Sequence, residues 1–142
     1  QLQTVFESYI TLSNALEKDD PIKAMESAKS VVDGVGKMDM KLLSNKNAHD
    51  HWMKLETEIK SSANSIANET DMNKQRKHFK HLSSHLTSAI ELFRINQKVY
   101  SQFCPMADKN RGAFWLSKEE KVLNPYFGNA MLTCGEVKQI IE

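Results

Sequence analysis

DMNKQRKHFKHLSSHLTSAIELFRINQKVY, residues 71–100, is the stretch whose reading decides the fold class. Met72, Phe79, Leu82, Leu86, Ile90, Phe93 and Gln97 recur at the spacing of one helix face, with charged and hydroxyl residues between them. Asp71 stands where an N-cap oxygen is wanted. The pattern predicts one long amphipathic helix from about Asp71 to Tyr100. A helix with a single apolar stripe must bury it against other elements, so the chain upstream has to supply partners.

It supplies three. Leu2, Val5, Phe6, Tyr9, Leu12 and Leu16 repeat at three and four, which predicts a first helix reaching Lys18. Asp20-Pro21 starts a second, because aspartate caps the free amides and proline loses only an amide that would be unpaired anyway. Its expected stripe is Ile22, Met25, Ala28, Val32, Val35 and Met38. Gly34 and Gly36 weaken its last turns by about 1 kcal/mol each relative to alanine. After a connection over Leu42–Lys46, Asn47 is the expected cap of a third helix carrying Ala48, Trp52, Leu55, Ile59, Ala63 and Ile66 inward. Asn68–Asp71 breaks the pattern before the fourth. Four amphipathic helices with short connections predict a mainly α fold, an up-and-down four-helix bundle.

The 142 residues suffice for one domain with a real core, so residues 1–142 are expected to form a single domain: bundle over 1–100, C-terminal extension over 101–142. Nineteen basic and eighteen acidic residues are interspersed, with no basic run of the kind that neutralises a phosphate backbone, which argues against a nucleic-acid partner. No apolar run is long enough to span a bilayer. The chain starts at Gln1 without Met and already in a helical pattern; the expectation is a processed or trimmed product carrying no signal segment.

Beyond Tyr100 the texture changes. Residues 100–141 read YSQFCPMADKNRGAFWLSKEEKVLNPYFGNAMLTCGEVKQII and hold both cysteines, two of three prolines and three of five glycines. Pro105 ends any helical continuation. Asp108–Gly112 is a loop by composition, and Ser117-Lys118-Glu119-Glu120 fits a capping box for a short helix from Lys118 to Leu123. The rest of the extension is expected to be irregular.

In the strings CPMA, GAFWLS, NPYFG and ML-CG, densely over about forty residues, the chain resembles a small domain of unknown function in Gram-negative envelope proteins. RKHFKHLSSHL in the fourth helix fits the same pattern more loosely. That domain occurs alone or at the C-terminus of periplasmic adaptor subunits of RND-type heavy-metal efflux pumps. The resemblance implies a helical domain of the periplasm or cell envelope linked to copper or other heavy-metal handling.

The residues themselves make two sulfur clusters, Cys104-Pro105-Met106 and Met131-Leu132-Thr133-Cys134. Folding the segment back on itself would bring two thiols and two thioethers together, a donor set that selects Cu(I) or Ag(I) over hard cations. Cys104, Met106, Met131 and Cys134 are therefore the candidate metal ligands. A Cys104–Cys134 disulfide is the open alternative: it would close a loop of about 30 residues and stabilise the fold by about 3 to 4 kcal/mol. The function expected is soft-metal binding in efflux or sequestration. The alternative is a structural or interaction domain that docks an efflux-adaptor or other envelope partner.

Other features read as structural. His78, His81 and His85 share one helix edge, where two histidines four apart can chelate, but no carboxylate stands among them and a solvated edge is the preferred reading. His49 and His51 point to different faces and are expected at the surface. Phe114, Trp115, Tyr126 and Phe127 are expected to anchor the extension to the bundle, with Trp115 also able to cap a soft cation. Met25, Met53 and Met72 read as core filler, and Met38 with Met40 as a weak second copper signal. No nucleophile elbow, P-loop, dinucleotide fingerprint or HExxH is present, and the chain is expected not to be an enzyme.

Overall fold

The structure, a computed structural model, describes residues 2–38 and 45–142. It is mainly helical, with four long helices: α1 (Leu2–Glu17), α2 (Pro21–Gly36), α3 (Lys46–Ala67) and α4 (Met72–Phe93). Each packs on its neighbour in the chain, and α1 also touches α4. Leu55, Ile59, Leu82 and Leu86 are buried as the helical periodicity requires. The Asp20 side chain caps α2 through the Lys23 amide at 3.0 Å, with Pro21 at the first helical position. Asp71 caps α4 through the Asn73 amide at 3.0 Å.

Several boundaries and faces differ from the sequence reading. The cap of α3 is Asn45, whose side-chain Oδ1 accepts from the Asn47 and Ala48 amides, so the helix starts two residues before the expected position. Both asparagines can cap, and the spacing of the apolar residues does not separate them. In α2 the buried line is Ala24, Ser27, Ala28, Val31 and Val35, while Ile22 is 69% exposed. Ile22 lies two positions before Ala24, roughly 200° around the helix, on the opposite face. Leu42 of the connection and Met40 of the Met-x-Met pair lie outside the described residues.

The fourth helix stops at Phe93 rather than near Tyr100. Arg94 takes a positive φ of 62°, its amide closing the last turn onto the Ile90 carbonyl. Val99 to Tyr100 is already strand. The expected division at residue 100 therefore falls inside β1 (Val99–Cys104), and the extension is not irregular. With β2 (Ala113–Ser117) and β3 (Glu136–Ile141), β1 forms an antiparallel sheet in the order β2-β1-β3. Cys104 pairs with Ala113 and Phe103 with Phe114 on one side; on the other, Phe103 pairs with Glu136, after a bulge between Ser101 and Gln102.

The expected helix over Lys118–Leu123 does not form. The Ser117 hydroxyl accepts from the Glu119 amide, a local turn rather than a reciprocal box. The fully buried Gln102 amide takes the Glu119 and Glu120 carbonyls at 3.0 and 3.2 Å. Those carbonyls are committed to a side chain of β1 instead of to a helix.

A series of rings joins sheet to helices. Trp115 meets Tyr126 edge-on at 5.9 Å, Tyr126 meets Phe79 at 5.7 Å, Phe79 stacks on Tyr9 at 5.0 Å, and Tyr9 on Phe6 at 6.3 Å. Trp115 and Tyr126 are thus the anchor expected of the aromatic group. Phe114 is not part of it: it lies on the other side of β2, 47% exposed, against Phe103 at 4.6 Å.

Candidate functional site

Strand pairing carries the chemistry. Cys104 ends β1 and is fully buried. Cys134 sits in the tight turn before β3, its amide donating to the Met131 carbonyl at 3.2 Å. Because β3 lies directly beside β1, that turn returns to the end of β1, and the two sulfurs come to 2.9 Å. The hydrogen bond with Cys104, followed by desolvation, pushes the Cys134 thiol above its ordinary value. Cys134 is half-buried and is the side of the pair with access to solvent.

The thioether residues stand nearby in the chain. Met106 lies two residues past Cys104 and is 47% exposed; Met131 is half-buried, three residues before Cys134 in the same turn. The fold thus joins the two cysteines of the proposed ligand set and carries both methionines on the segments that bear them.

The turn holding Cys134 is fixed by Asn124, which is fully buried. Its Nδ2 donates to the Cys134 carbonyl at 2.7 Å, and its Oδ1 accepts from the Tyr126 amide at 2.8 Å and from the Phe127 amide at 3.3 Å. Gly135 follows, with φ 141°, where a Cβ would come within 2.8 Å of the Trp115 ring and 3.1 Å of the Phe103 carbonyl. Only glycine lets the chain pass between the indole and β1.

The same NPYFG segment is tied to the helices by Arg76. Its Nε donates to the Pro125 carbonyl at 2.8 Å, and one terminal nitrogen donates to both the Leu16 carbonyl and Asp19 Oδ1, each at 2.8 Å. The Asp19 carboxylate also accepts from the Asn129 amide at 3.1 Å, and the Arg76 hydrogen bond holds its pKa below the usual range. Gly128, with φ 56°, lies so close that a Cβ would meet Asp19 Oδ1 at 2.3 Å.

Between β1 and β2 the chain makes an unusual turn at Ala107–Asn110. Asp108, Lys109 and Asn110 take successive φ values of 54°, 55° and 67°. Left-handed geometry in non-glycine residues costs about 1 to 2 kcal/mol each, least for Asn and Asp. The turn is held against α4 by a Lys80–Asp108 ion pair at 2.7 Å, and that bond keeps the Asp108 carboxyl below its usual pKa.

The histidines do not assemble. His81 is exposed, His78 is half-buried, and His85 faces Glu58 of α3 at 3.6 Å, a cross-helix contact invisible to a reading of α4 alone. His51 is exposed and His49 half-buried beside Asp50. Among the described residues no group of three or more His, Cys, Asp or Glu gathers as a metal site. No described helix is long and apolar enough to cross a membrane.

Residues that sequence reasoning missed are the positioning ones: Asn124, Arg76, Gln102 and Tyr9. Asn-Pro signalled a turn at 124, but nothing local says that its side chain reaches ten residues on to Cys134. Buried polar side chains look like surface residues until the topology is known.

The fold is a mainly helical one joined to a small antiparallel sheet, with two cysteines in contact at the sheet's end. Residues 5–98 match the family described as protein of unknown function (DUF3347), about two thirds of the chain, and the protein belongs to that family. The matched span is the helices together with the link to β1, so the assignment rests on them and not on the C-terminal strings in which the resemblance is densest. No curated protein and no solved structure matches the chain.

Proposed function

We propose that the chain is a cell-envelope module that binds a soft metal ion, Cu(I) or Ag(I), as cargo for efflux or sequestration. The helices, read as an up-and-down bundle forming one domain with the sheet, are its scaffold. Cys104 and Cys134 supply thiolates, and Met106 and Met131 thioethers. The observation that carries this reading is the contact between two cysteine sulfurs 30 positions apart, each with a methionine within three residues. Thiolate and thioether together favour a soft monovalent ion over Zn(II) or hard cations. With metal–thiolate bonds of about 2.3 Å, two sulfurs sharing an ion stand roughly 4 Å apart or more. Loading therefore opens the pair, and half-buried Cys134 is the member with room to turn. The resemblance of CPMA, GAFWLS, NPYFG and ML-CG to domains of heavy-metal efflux adaptors supports a periplasmic setting and an adaptor or pump component as partner. No catalytic role belongs to the reading.

The test is Cu(I) titration of the reduced protein against a competing chelator. Cys104→Ser and Cys134→Ser should each abolish competition. The second reading, a structural disulfide in a domain that docks an envelope partner, is favoured by the same sulfur contact. It requires a large difference between oxidised and reduced melts, together with Cu(I) binding no tighter than background. That pair of results would replace the metal reading.

A further inference from the structure

The cleft between α4 and the β1–β2 turn concentrates positive charge in a chain whose formal net charge is only +1. Arg76, Lys77 and Lys80 reach it from two turns of α4, and Lys109 and Arg111 from the turn opposite. The single acidic residue in its lining is Asp108. These cations come from segments about 30 residues apart in sequence and converge on one concavity of about 270 Å³, floored by the buried Tyr126. A solvated helix face spreads its lysines over a convex surface. A concave cluster instead focuses the field and raises the local concentration of anions.

The donors are not used up. Lys77 and Lys109 make no hydrogen bond or ion pair among the described residues, and Arg111 has only a contact with Asp108 at 3.9 Å. Arg76 commits Nε and one terminal nitrogen, leaving the other terminal nitrogen without a partner among the described residues. Lys80 is satisfied by Asp108 at 2.7 Å, and that pair keeps the left-handed turn, with its Lys109 and Arg111, against α4. Asp108 is itself an oxyanion held by this cluster, and it fills only part of the donor set.

We propose that this cleft is a binding site for a multiply charged oxyanion of the phosphate class. Guanidinium and ammonium groups give charge-assisted hydrogen bonds to such oxygens. The volume is just below the range of drug-sized pockets, which suits a small anion or a headgroup. The site is separate in chemistry from the sulfur pair, since a hard anion has no affinity for thiols.

The experiment is calorimetric titration of the reduced, metal-free chain with inorganic phosphate and with pyrophosphate, at constant ionic strength set by chloride. Saturable binding is expected, tighter for pyrophosphate. Lys77→Gln and Arg111→Gln, both at exposed positions and neither part of the 2.7 Å Lys80–Asp108 pair that holds the turn, should each weaken it by about tenfold, the effect of one charge-assisted bond. Lys29→Gln on the exposed face of α2 should leave it unchanged. A parallel arm measures cosedimentation with phosphatidylcholine vesicles, with and without phosphatidic acid, whose headgroup is a phosphate monoester. Vesicle binding lost in the cleft variants, with no response to pyrophosphate, assigns the oxyanion to a lipid headgroup. Heats no different from chloride together with no vesicle binding, or an equal loss in Lys29→Gln, overturn the proposal.

Discussion

The Leu116 amide of β2 donates to the Tyr9 hydroxyl of α1 at 3.0 Å, and the same hydroxyl shares a hydrogen bond of 2.7 Å with Ser83 of α4. β2 is an edge strand, and α1 takes up one of the donors that such an edge leaves unpaired. Burial raises the Tyr9 pKa, which keeps the hydroxyl protonated and able to serve both partners. Tyr9→Phe preserves the ring stack and strands a buried amide and the buried Ser83 hydroxyl. It should cost about 1 to 3 kcal/mol in a denaturant melt. Faster hydrogen exchange at Leu116 would locate the loss.

Asn124→Ala removes the side chain that fixes the Cys134 turn and leaves the partners of three hydrogen bonds, one of them fully buried, unsatisfied. The expected loss of stability is about 2 kcal/mol or more. Cu(I) affinity should fall as well, although no ligand has been touched. Unchanged affinity in a folded variant would mean that the sulfur pair does not depend on its support.

Leu82→Ala opens a cavity at a fully buried position in the middle of α4 and should cost about 2 to 5 kcal/mol. Urea unfolding followed by far-UV circular dichroism measures it directly. Ile22→Ala, at an exposed site on α2, should change stability by less than about 0.5 kcal/mol.

Glu17 has its pKa raised to about 7, chiefly by burial and further by nearby Glu119, with Ser13 and Lys18 acting the other way. Above pH 4.5 the unfolded chain loses this proton while the folded chain keeps it up to about 7. The folded state binds the extra proton in that window, so the group's contribution makes stability fall as pH rises through it and level off above it. Glu17→Gln should flatten that slope and stabilise the protein near neutral pH by about 1 to 2 kcal/mol after solvent screening. Melts between acid and neutral pH, wild type against variant, test the sign.

Met106→Leu with Met131→Leu keeps volume and apolarity and removes two thioethers, so Cu(I) affinity should drop while the melt hardly moves. His81→Ala with His85→Ala should leave Cu(I) affinity unchanged, since His81 is solvent-exposed and His85 faces Glu58 of α3. A large loss in the histidine pair would make the site a mixed sulfur and nitrogen one.

The helices were legible because their signals are local. The apolar lines of α1, α3 and α4, and the Asp20-Pro21 start, depend on residues a few positions apart. The sheet was not legible for the opposite reason. β3 reads EVKQII and is largely exposed, so it carries no clean alternation, and its partner lies more than thirty residues away. The Ser117–Glu120 capping box was a valid local signal overridden by Gln102, a polar residue that gave no hint of being buried. At the candidate site, sequence brought out the sulfur atoms, while the contact between Cys104 and Cys134 required the strand order β2-β1-β3.

The family match ends at residue 98, yet the rings of Trp115, Tyr126, Phe79 and Tyr9 run across that point without a gap. A boundary in sequence is here not a boundary in space. Severing the chain after the matched span would turn Phe79 and the Tyr9 hydroxyl toward water and release Arg76 from Pro125. The sheet and the segment carrying Tyr126 therefore close the side on which α1 and α4 present their aromatic rings. Any protein that carries these helices with the same inward aromatic face and no such sheet must close that side with something else, whether a fused neighbour or a second copy.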